Sequence, residues 1–503
     1  MSNEAAKQQS PGSSQSTGET AYALDDFNQL MKQAFRPRTA VAEREVERGI
    51  TALVSEALAD VSLVDQDVLG MIDSMLASLD EKLSDQVNAI LHNEEFQKLE
   101  SSWRGLAYTV NGSETDATLQ VNVLNVSKAE WERELRAYQG VKWDRSPLFR
   151  KIYEAEYDKL GGHPYGCIIA DYQFDHSASD VRLLRDFGKV AATAHAPFIA
   201  AAAPELLGLD NWNAVEDNID NVASLFTGTE YAAWNSMRDS ENSRYLGLTL
   251  PRMLGREPYG DKGTKVDEFK FEEDTDGHDG QKYCWISAAH GMATNINRAH
   301  KEYGWTVQIR GVQSGGEVIN LPQHHFDLGN GATDMKCPTE IAISGRREAE
   351  LSAAGFMSLV HRKNTDKAAF IGGQSLYKPK KYQTVEATAS DNLSAKIPYI
   401  FALSRFSHYL QCMVRDQIGS TREREQIERE LQDWVSQYVH NNPSRASEDD
   451  KARYPLAGAR VEVVADEANP GYYMGKFFLR PHFQMEGMDI GMSLVSRLPS
   501  PKG

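Results

Sequence analysis

Residues 255–262 read GREPYGDK, two glycines and a lysine at nearly the spacing of a phosphate-cradling loop. That chemistry needs Lys and then Ser or Thr directly after the second glycine, so that backbone N–H groups and an ammonium converge on the phosphates. Here Asp261 intrudes and sets a negative charge where a phosphate would lie. Gly373-Gln374-Ser375-Leu376-Tyr377 has the first glycine and the serine of a nucleophile elbow, but Tyr377 replaces the closing glycine. It reads as a tight loop between packed elements. Asp274-Thr275-Asp276-Gly277-His278-Asp279 opens like a calcium loop, yet lacks Gly at the sixth position and has Trp285 where the bidentate Glu belongs. His324-His325, with Asp327 close by, is an adjacent pair that an extended segment would point in opposite directions, whereas a metal needs three or four convergent ligands. The four cysteines, Cys167, Cys284, Cys337 and Cys412, are widely spaced, with no CxxC and no histidine at ligand spacing. They read as buried, reduced thiols. No catalytic, cofactor-binding or metal constellation emerges. The enzymatic alternative is an α/β protein with a site around Ser375 and a distant histidine.

The elements that would have to position such groups belong to a chain of 503 residues, long enough for about three domains, or two with elaborations. Charged residues are 25% and the hydrophobic set 41%, the balance of a folded chain with a large core. Lys+Arg 54 against Asp+Glu 72 leaves −18, and the cations are scattered, which argues against a nucleic-acid partner. The opening MSNEAAKQQSPGSSQSTGET has neither a basic n-region nor an apolar h-region. The most apolar stretch, residues 191–209, is broken by His195, Pro197, Pro204 and Glu205 and reads as core, not a bilayer span. The expectation is a cytoplasmic protein without direct membrane insertion.

Residues 1–20 are too polar to offset the entropy of ordering and read as a disordered tail. The spacing of Leu24, Phe27, Leu30, Met31 and Phe35 then predicts a short amphipathic helix over residues 21–36, halted near Pro37. Such a helix is marginal alone and must dock, either on its own protein or in a separate groove. Two long amphipathic helices follow, over residues 46–61 and 68–91, completing a helical region over 21–100. The texture then changes to alternating apolar positions (LQVNVLNV, 119–126), a helix around residues 131–138, and strands at 167–170, 248–250 and 306–309. This predicts a mixed α/β body over 101–385, with the charged, Gly-rich interval 261–280 as a surface insertion. A last module over 386–503 carries a helix face of Ile427, Leu431, Trp434, Val435, Tyr438 and Val439. Its strand candidates are 460–464, 476–480 and 489–495, the first two separated by Asn469-Pro470-Gly471. Strands so placed either complete an internal sheet or offer an edge to another chain.

Six stretches together carry a resemblance. They are FQKLESSWRGLAY (96–108), AHAPFIAAAAPELLGL (194–209), RYLGLTLPRMLGREPYG (244–260), PTEIAISGRREAELSAAGFMSLVHRKNTDKAAFIGGQSLYKPKKY (338–382), PYIFALSRFSHYLQCMVRDQIGS (398–420) and FFLRPHFQMEGMDIGMSLVSRL (477–498). In order and spacing the chain resembles, from about residue 40 to its end, the large sheath subunit of bacterial type VI secretion systems, the TssC/VipB family. The resemblance implies a mixed α/β fold: an N-terminal helical arm, the sheet body of contractile tail sheaths, and a C-terminal helix whose neighbouring strands join an intersubunit sheet. It implies a structural subunit, not an enzyme, with no cofactor. The implied partners are the small sheath subunit TssB/VipA, further copies of itself, the Hcp inner tube, the baseplate, and the AAA+ ATPase ClpV. The heterodimers would form a six-start helical tube around Hcp and contract to drive the tube and spike outward. The helix bearing Leu24, Phe27, Leu30, Met31 and Phe35 occupies the place of the ClpV-recognised helix. The strands bearing Val461, Val463, Phe477 and Leu479 occupy the place of the linking strands. The sheath of another contractile particle, such as a phage tail, is the nearest alternative within this class. With no fuel site recognised in the sequence, the expected stroke is a release of lattice strain, with charged faces such as Arg346-Arg347-Glu348 and residues 423–430 exchanging partners.

Overall fold

The computed structural model describes residues 44, 48–49, 68–215, 219, 221–261, 263–267, 269–328, 331–417, 422–440, 442, 445–465, 473–482 and 484. The short helix expected over 21–36, nearly all of 46–61 and the strand expected over 489–495 lie outside these residues. The chain divides into two compact units: residues 1–93 with 259–274, and residues 94–258 with 275–503.

In the first unit, helix α1 (Val68–Leu91) matches the helix read from its apolar rhythm. Near its C-terminus, Asn88 grips the 259–274 segment from both sides of its amide. Nδ2 donates to the Glu272 carbonyl at 3.4 Å, and Oδ1 accepts from the Asp274 N–H at 3.0 Å. Within that segment the buried Glu273 accepts from the Tyr259 N–H at 2.8 Å, and Phe271 is also buried. The expected surface insertion therefore has a folded first part. It forms no strand: its backbone groups are met partly by side chains and partly by one isolated bridge between Tyr259 and Thr264.

The second unit runs α2 (Glu94–Asn111), α3 (Lys128–Arg136), β1 (Ile168–Phe174), α4 (Ala178–Ala194), β2 (Phe198–Ala202), α5 (Ala232–Arg238), β3 (Leu246–Leu250), β4 (Met253–Leu254), β5 (Trp285–Ile286) and α6 (Ala288–Tyr303). It continues through β6 (Glu317–Val318), β7 (His325–Asp327), β8 (Thr333–Met335), α7 (Gly345–Ala353), β9 (Phe356–His361), β10 (Ala368–Phe370) and α8 (Val385–Ser394). It ends with α9 (Ile397–Asp416), α10 (Arg424–Ser436), α11 (Glu448–Arg453), β11 (Leu456–Ala465) and β12 (Tyr473–Pro481). Ser or Thr N-caps start α3, α4, α6, α7, α8 and α11, each accepting from a backbone N–H in the first turn.

Strands β1, β2, β3 and β9 are parallel, and β10 and β6 add antiparallel, giving one six-stranded sheet in the order β1-β2-β3-β9-β10-β6. Strands β2 and β3 are buried at every position, which is why 191–209 looked apolar enough to question as a span: a parallel strand has no wet face. Alternation splits the core across the sheet. Phe198, Ala200 and Phe356 join Leu184, Phe187 and Trp234 in one cluster, while Ile199 and Met357 join Met292, Ile397 and Phe401 in another.

Two expected strands are not strands. Residues 119–126 have no regular secondary structure and pair with no strand, held near their ends by Asp116 Oδ1 (from Leu119 N–H, 3.1 Å) and by Tyr172, whose hydroxyl donates to the Val126 carbonyl at 2.5 Å. Their alternation buries neither face, and Val123 and Leu124 are exposed. Residues 306–309 bury Val307 and Ile309 without a ladder, because the Val307 carbonyl accepts from the Gln484 side chain at 3.1 Å instead of from a strand.

Candidate assembly interface

The C-terminal module is built on aromatic packing. Trp305 stacks on Phe406 of α9 with centroids 4.2 Å apart, and Trp434 and Tyr438 lie edge-on to Phe406. Leu431 and Val435, one turn apart on α10, complete this cluster with Leu456, Val461 and Val463 of β11. Phe477 and Leu479 of β12 pack partly on the same cluster. The helix face read from the sequence is therefore the floor under the hairpin, and the four strand residues named there fasten the hairpin to its own chain.

The pairing register sets what remains for a neighbour. Strands β11 and β12 are antiparallel, with Arg460 opposite Phe478, Glu462 opposite Lys476 and Val464 opposite Met474. Val461 and Val463 turn their N–H groups away from β12, to Gln432 Oε1 at 2.8 Å and Glu428 Oε2 at 2.9 Å on α10. Gln432 Nε2 also donates to the Ala459 carbonyl at 3.4 Å, and Arg424 donates to the Val463 carbonyl at 3.3 Å. Side chains of one helix thus seal the outer edge of β11. Because ladder bonds alternate along a strand, the residues facing out from β12 are Gly475, Phe477 and Leu479. Among the described residues no strand pairs with that edge.

The outer face of the hairpin carries Met474 and Phe478, each 55% exposed, alternating with Lys476 and Arg480. Beyond β12 the chain is pinned. His482 is buried, which holds its imidazole below the usual range, with Nε2 2.9 Å from the Tyr454 carbonyl. Gln484 accepts from Arg310 at 2.7 Å and its N–H donates to the Tyr399 hydroxyl at 2.7 Å.

The charged faces divide into fixed and free groups. Arg346 is exposed and pairs with Glu350 at 3.0 Å, but Arg347 is buried and donates to Glu350 and to the Ile219 carbonyl. Glu348 is buried and accepts from Ser352 at 2.8 Å. On α10, Glu428 and Arg424 belong to the strand seal, Arg424 also meeting Glu425 at 2.6 Å, and Arg422, just before the helix, meets Glu430. Sequence reading missed Glu428 and Gln432 as edge-sealing groups. Their i, i+4 spacing was a signal, but only beside a known strand.

The residues with chemical potential are placed as follows. Ser375 is fully buried; its N–H donates to the Ala395 carbonyl at 2.8 Å and its Oγ accepts from the Tyr377 N–H at 3.4 Å. His324 is buried against the Tyr283 hydroxyl at 2.9 Å, while His325 is exposed, so the pair diverges. Asp276 closes a loop by accepting from the N–H groups of Gln281 and Lys282 at 2.6 and 3.2 Å. A Thr109–His290–Asp171 row, unanticipated from sequence, places His290 Nδ1 2.9 Å from Thr109 Oγ1 and Nε2 3.5 Å from Asp171. Thr109 is buried and its hydroxyl donates to the Gly105 carbonyl at 3.1 Å, so the row ties α2, α6 and β1 together. Among the described residues no group of three or more His, Cys, Asp or Glu side chains converges to hold a metal, and no helix is long and apolar enough to cross a membrane. Leu24, Phe27, Leu30, Met31 and Phe35 lie outside the described residues.

Comparison with known proteins adds to this geometry. Residues 73–377 match the family profile of the EvpB/VC_A0108 tail sheath N-terminal domain, and residues 386–498 match that of the EvpB/VC_A0108 tail sheath gpW/gp25-like domain. The chain is 52% identical over 483 residues to the type VI secretion system sheath protein TssC1 of Pseudomonas aeruginosa, covering 96% of this chain and 97% of that one. Among solved structures it has a slight likeness to the anti-feeding prophage baseplate: 11% identity, 78% of this chain and 86% of that chain covered, TM-score 0.39. The likeness to the contracted helical sheath of the same particle is slighter, at 10% identity, 62% and 66% coverage and TM-score 0.30. With both profiles and a full-length relative in agreement, the chain belongs to the EvpB/VC_A0108 tail sheath family, the large sheath subunits of type VI secretion systems.

Proposed function

We propose that this chain is a cytoplasmic, non-enzymatic building block that pairs with the small sheath subunit TssB/VipA and polymerises around an Hcp inner tube from a baseplate. The observation that carries the interface is the asymmetry of the C-terminal hairpin: α10 seals β11, while β12 keeps an outward row of N–H and C=O groups. Strand addition at such an edge links chains through main-chain hydrogen bonds, which survive rigid-body motion of the bodies they join. The organisation that fits this role is a tail over 1–20, a helical arm over 21–100, a central sheath domain over 101–385 and a linking module over 386–503.

In this reading contraction releases a difference between two lattice states. A bias of a few kcal/mol per subunit suffices, because it is repeated along the tube. Exposed pairs such as Arg346–Glu350 and Arg422–Glu430 are the ones able to change partners, each weak because solvent screens it. Arg347 and Glu348 are committed inside the chain. The helix over 21–36 is the handle for ClpV, with Leu24, Phe27, Leu30, Met31 and Phe35 as anchors.

The test is co-expression with the small subunit, followed by negative-stain microscopy. Tubules with a cogwheel cross-section are expected, and discrete soluble particles with substrate turnover would reject the reading. For the handle, Leu30→Asp with Met31→Asp should abolish ClpV capture of contracted tubules while leaving the tubules intact; undiminished capture would rule it out.

A further inference from the structure

A cavity of about 250 Å³ opens beside α4, away from the C-terminal hairpin. One wall is α4 itself, which brings Arg185, Gly188 and Lys189 to the cavity, the two cations one turn apart on the same face. The other wall runs from Ser236 of α5 through Ser240 and Asn242 to Leu246 at the start of β3. Gly188 leaves the floor between the cations bare, because a Cβ there would lie 3.2 Å from Leu246 Cδ1. The facing wall is fastened by Ser243, which is buried and donates to the Met237 carbonyl at 2.5 Å. Arg185 Nη2 donates to the Ala233 carbonyl at 3.2 Å and to Ser236 Oγ at 3.0 Å. These contacts aim the guanidinium without neutralising it, and among the described residues no carboxylate pairs with Arg185. Lys189 spends one ammonium proton on Asp186 Oδ1 at 2.9 Å. The side chains of Ser240 and Asn242 have no hydrogen-bond partner among the described residues. Asp186, Asp239 and Glu241, the acidic residues nearest in sequence, do not line the cavity, and Glu241 turns to Arg244 at 3.6 Å.

We propose that this cavity is an oxyanion site that takes a free phosphate or the phosphoryl group of a small metabolite. Arg185 and Lys189 are its cations, and Asn242 and Ser240 its neutral donors. The chemistry of the lining selects the class of ligand. The volume is below the roughly 300–1,000 Å³ of pockets that bury drug-sized molecules, so the occupant is small. Among the described residues the lining has no aromatic ring, and Leu246 is its one large apolar side chain, so nothing there stacks a base or rewards an apolar ligand. The donors are a guanidinium fork, an ammonium, an amide and a hydroxyl, and they stand on two facing walls. A tetrahedral oxyanion presents acceptor oxygens in several directions and can meet both walls, whereas a carboxylate has two oxygens in one plane. The chain carries −18 overall, so an uncompensated cation beside free donors in a recess is a local exception to its charge. The site is independent of the assembly reading above.

The test uses the full chain co-expressed with the small subunit, or carried on a solubility tag should no complex form, so that failure to assemble is not failure of the site. Inorganic phosphate and then glycerol phosphate are titrated at constant ionic strength and read by isothermal titration calorimetry. Saturable binding at one site per chain is expected, with a Kd of about 1 mM or tighter. Arg185→Gln and Lys189→Gln should each weaken it roughly ten-fold or more, the loss that follows removal of a charged hydrogen-bond donor. Arg346→Gln removes the same charge from the exposed surface of α7 and should leave binding unchanged. Tighter binding of glycerol phosphate supports the site as one for a phosphorylated metabolite, and equal or weaker binding supports it as one for the free ion. Absence of saturable heat with either probe overturns the proposal, as does heat that chloride at equal ionic strength reproduces. Undiminished binding in Arg185→Gln with unchanged circular dichroism overturns it too. Should that variant not fold, Lys189→Gln combined with Asn242→Ala decides in its place, by the same loss or its absence.

Discussion

Gly105 and His290 meet where α2 crosses α6, and a Cβ on Gly105 would lie 2.4 Å from the imidazole ring. No rotamer change relieves this cheaply, because His290 is held by Thr109 on one side and Asp171 on the other. Gly105→Ala should therefore destabilise the chain by about 1–3 kcal/mol, read as a lower midpoint in urea. A second residue-scale consequence concerns pH. His408 is buried on α9 with Nε2 2.8 Å from the Ala194 carbonyl, and desolvation holds its imidazole down at about 4. The neighbouring His195 is lowered for the same reason. Both are held neutral by burial and are free to protonate when unfolded, so their contribution is complete above pH ~6.5 and is lost as pH falls, for His408 toward about 4. His361, shifted upward, has the opposite sign. Equilibrium unfolding between pH 7 and 4.5 should show this loss, and His408→Gln should flatten it. None of these contacts was legible in the sequence: Gly105 and His290 are 185 positions apart.

At the scale of elements, the hairpin makes the sharpest prediction. The Gly475 N–H faces outward and the Lys476 N–H faces β11, as the register requires. Gly475→Pro should leave the module folded but stop tubule formation on co-expression with the small subunit, because proline removes a donor from the linking edge only. Lys476→Pro should unfold the hairpin itself. Circular dichroism and negative-stain microscopy separate the two outcomes; tubules from Gly475→Pro would show that β12 is not the linking edge. Gln432→Ala tests the other side. Removing the group that meets Val461 and Ala459 should open β11 and increase disordered aggregation of the chain. The helix under this hairpin was legible from its apolar spacing, since Leu431 and Val435 are buried as that face requires. The alternation in residues 119–126 misled, because the period of a strand appears in any extended segment whether or not a partner edge lies beside it.

At the scale of the whole molecule, large apolar side chains remain on the surface. Leu76, Leu83 and Ile90 lie at seven-residue intervals on α1, Leu99 and Trp103 one turn apart on α2, and Phe478 and Met474 on the hairpin. Expressed without its partner, the chain should be poorly soluble or irregularly aggregated and become soluble as a complex, measured by sedimentation and size-exclusion chromatography. A stable monodisperse monomer would contradict the assembly reading. The sequence by itself determined the family, through six long motifs in fixed order, and particular elements such as α1, α10 and the β11–β12 hairpin, through periodicities of 3.6 and 2 and a turn between them. Only the tertiary structure decided which strand edge is left open. That depends on side chains such as Gln432 and Glu428 reaching backbone groups distant in sequence, and periodicity along one element carries no information about what lies across from it.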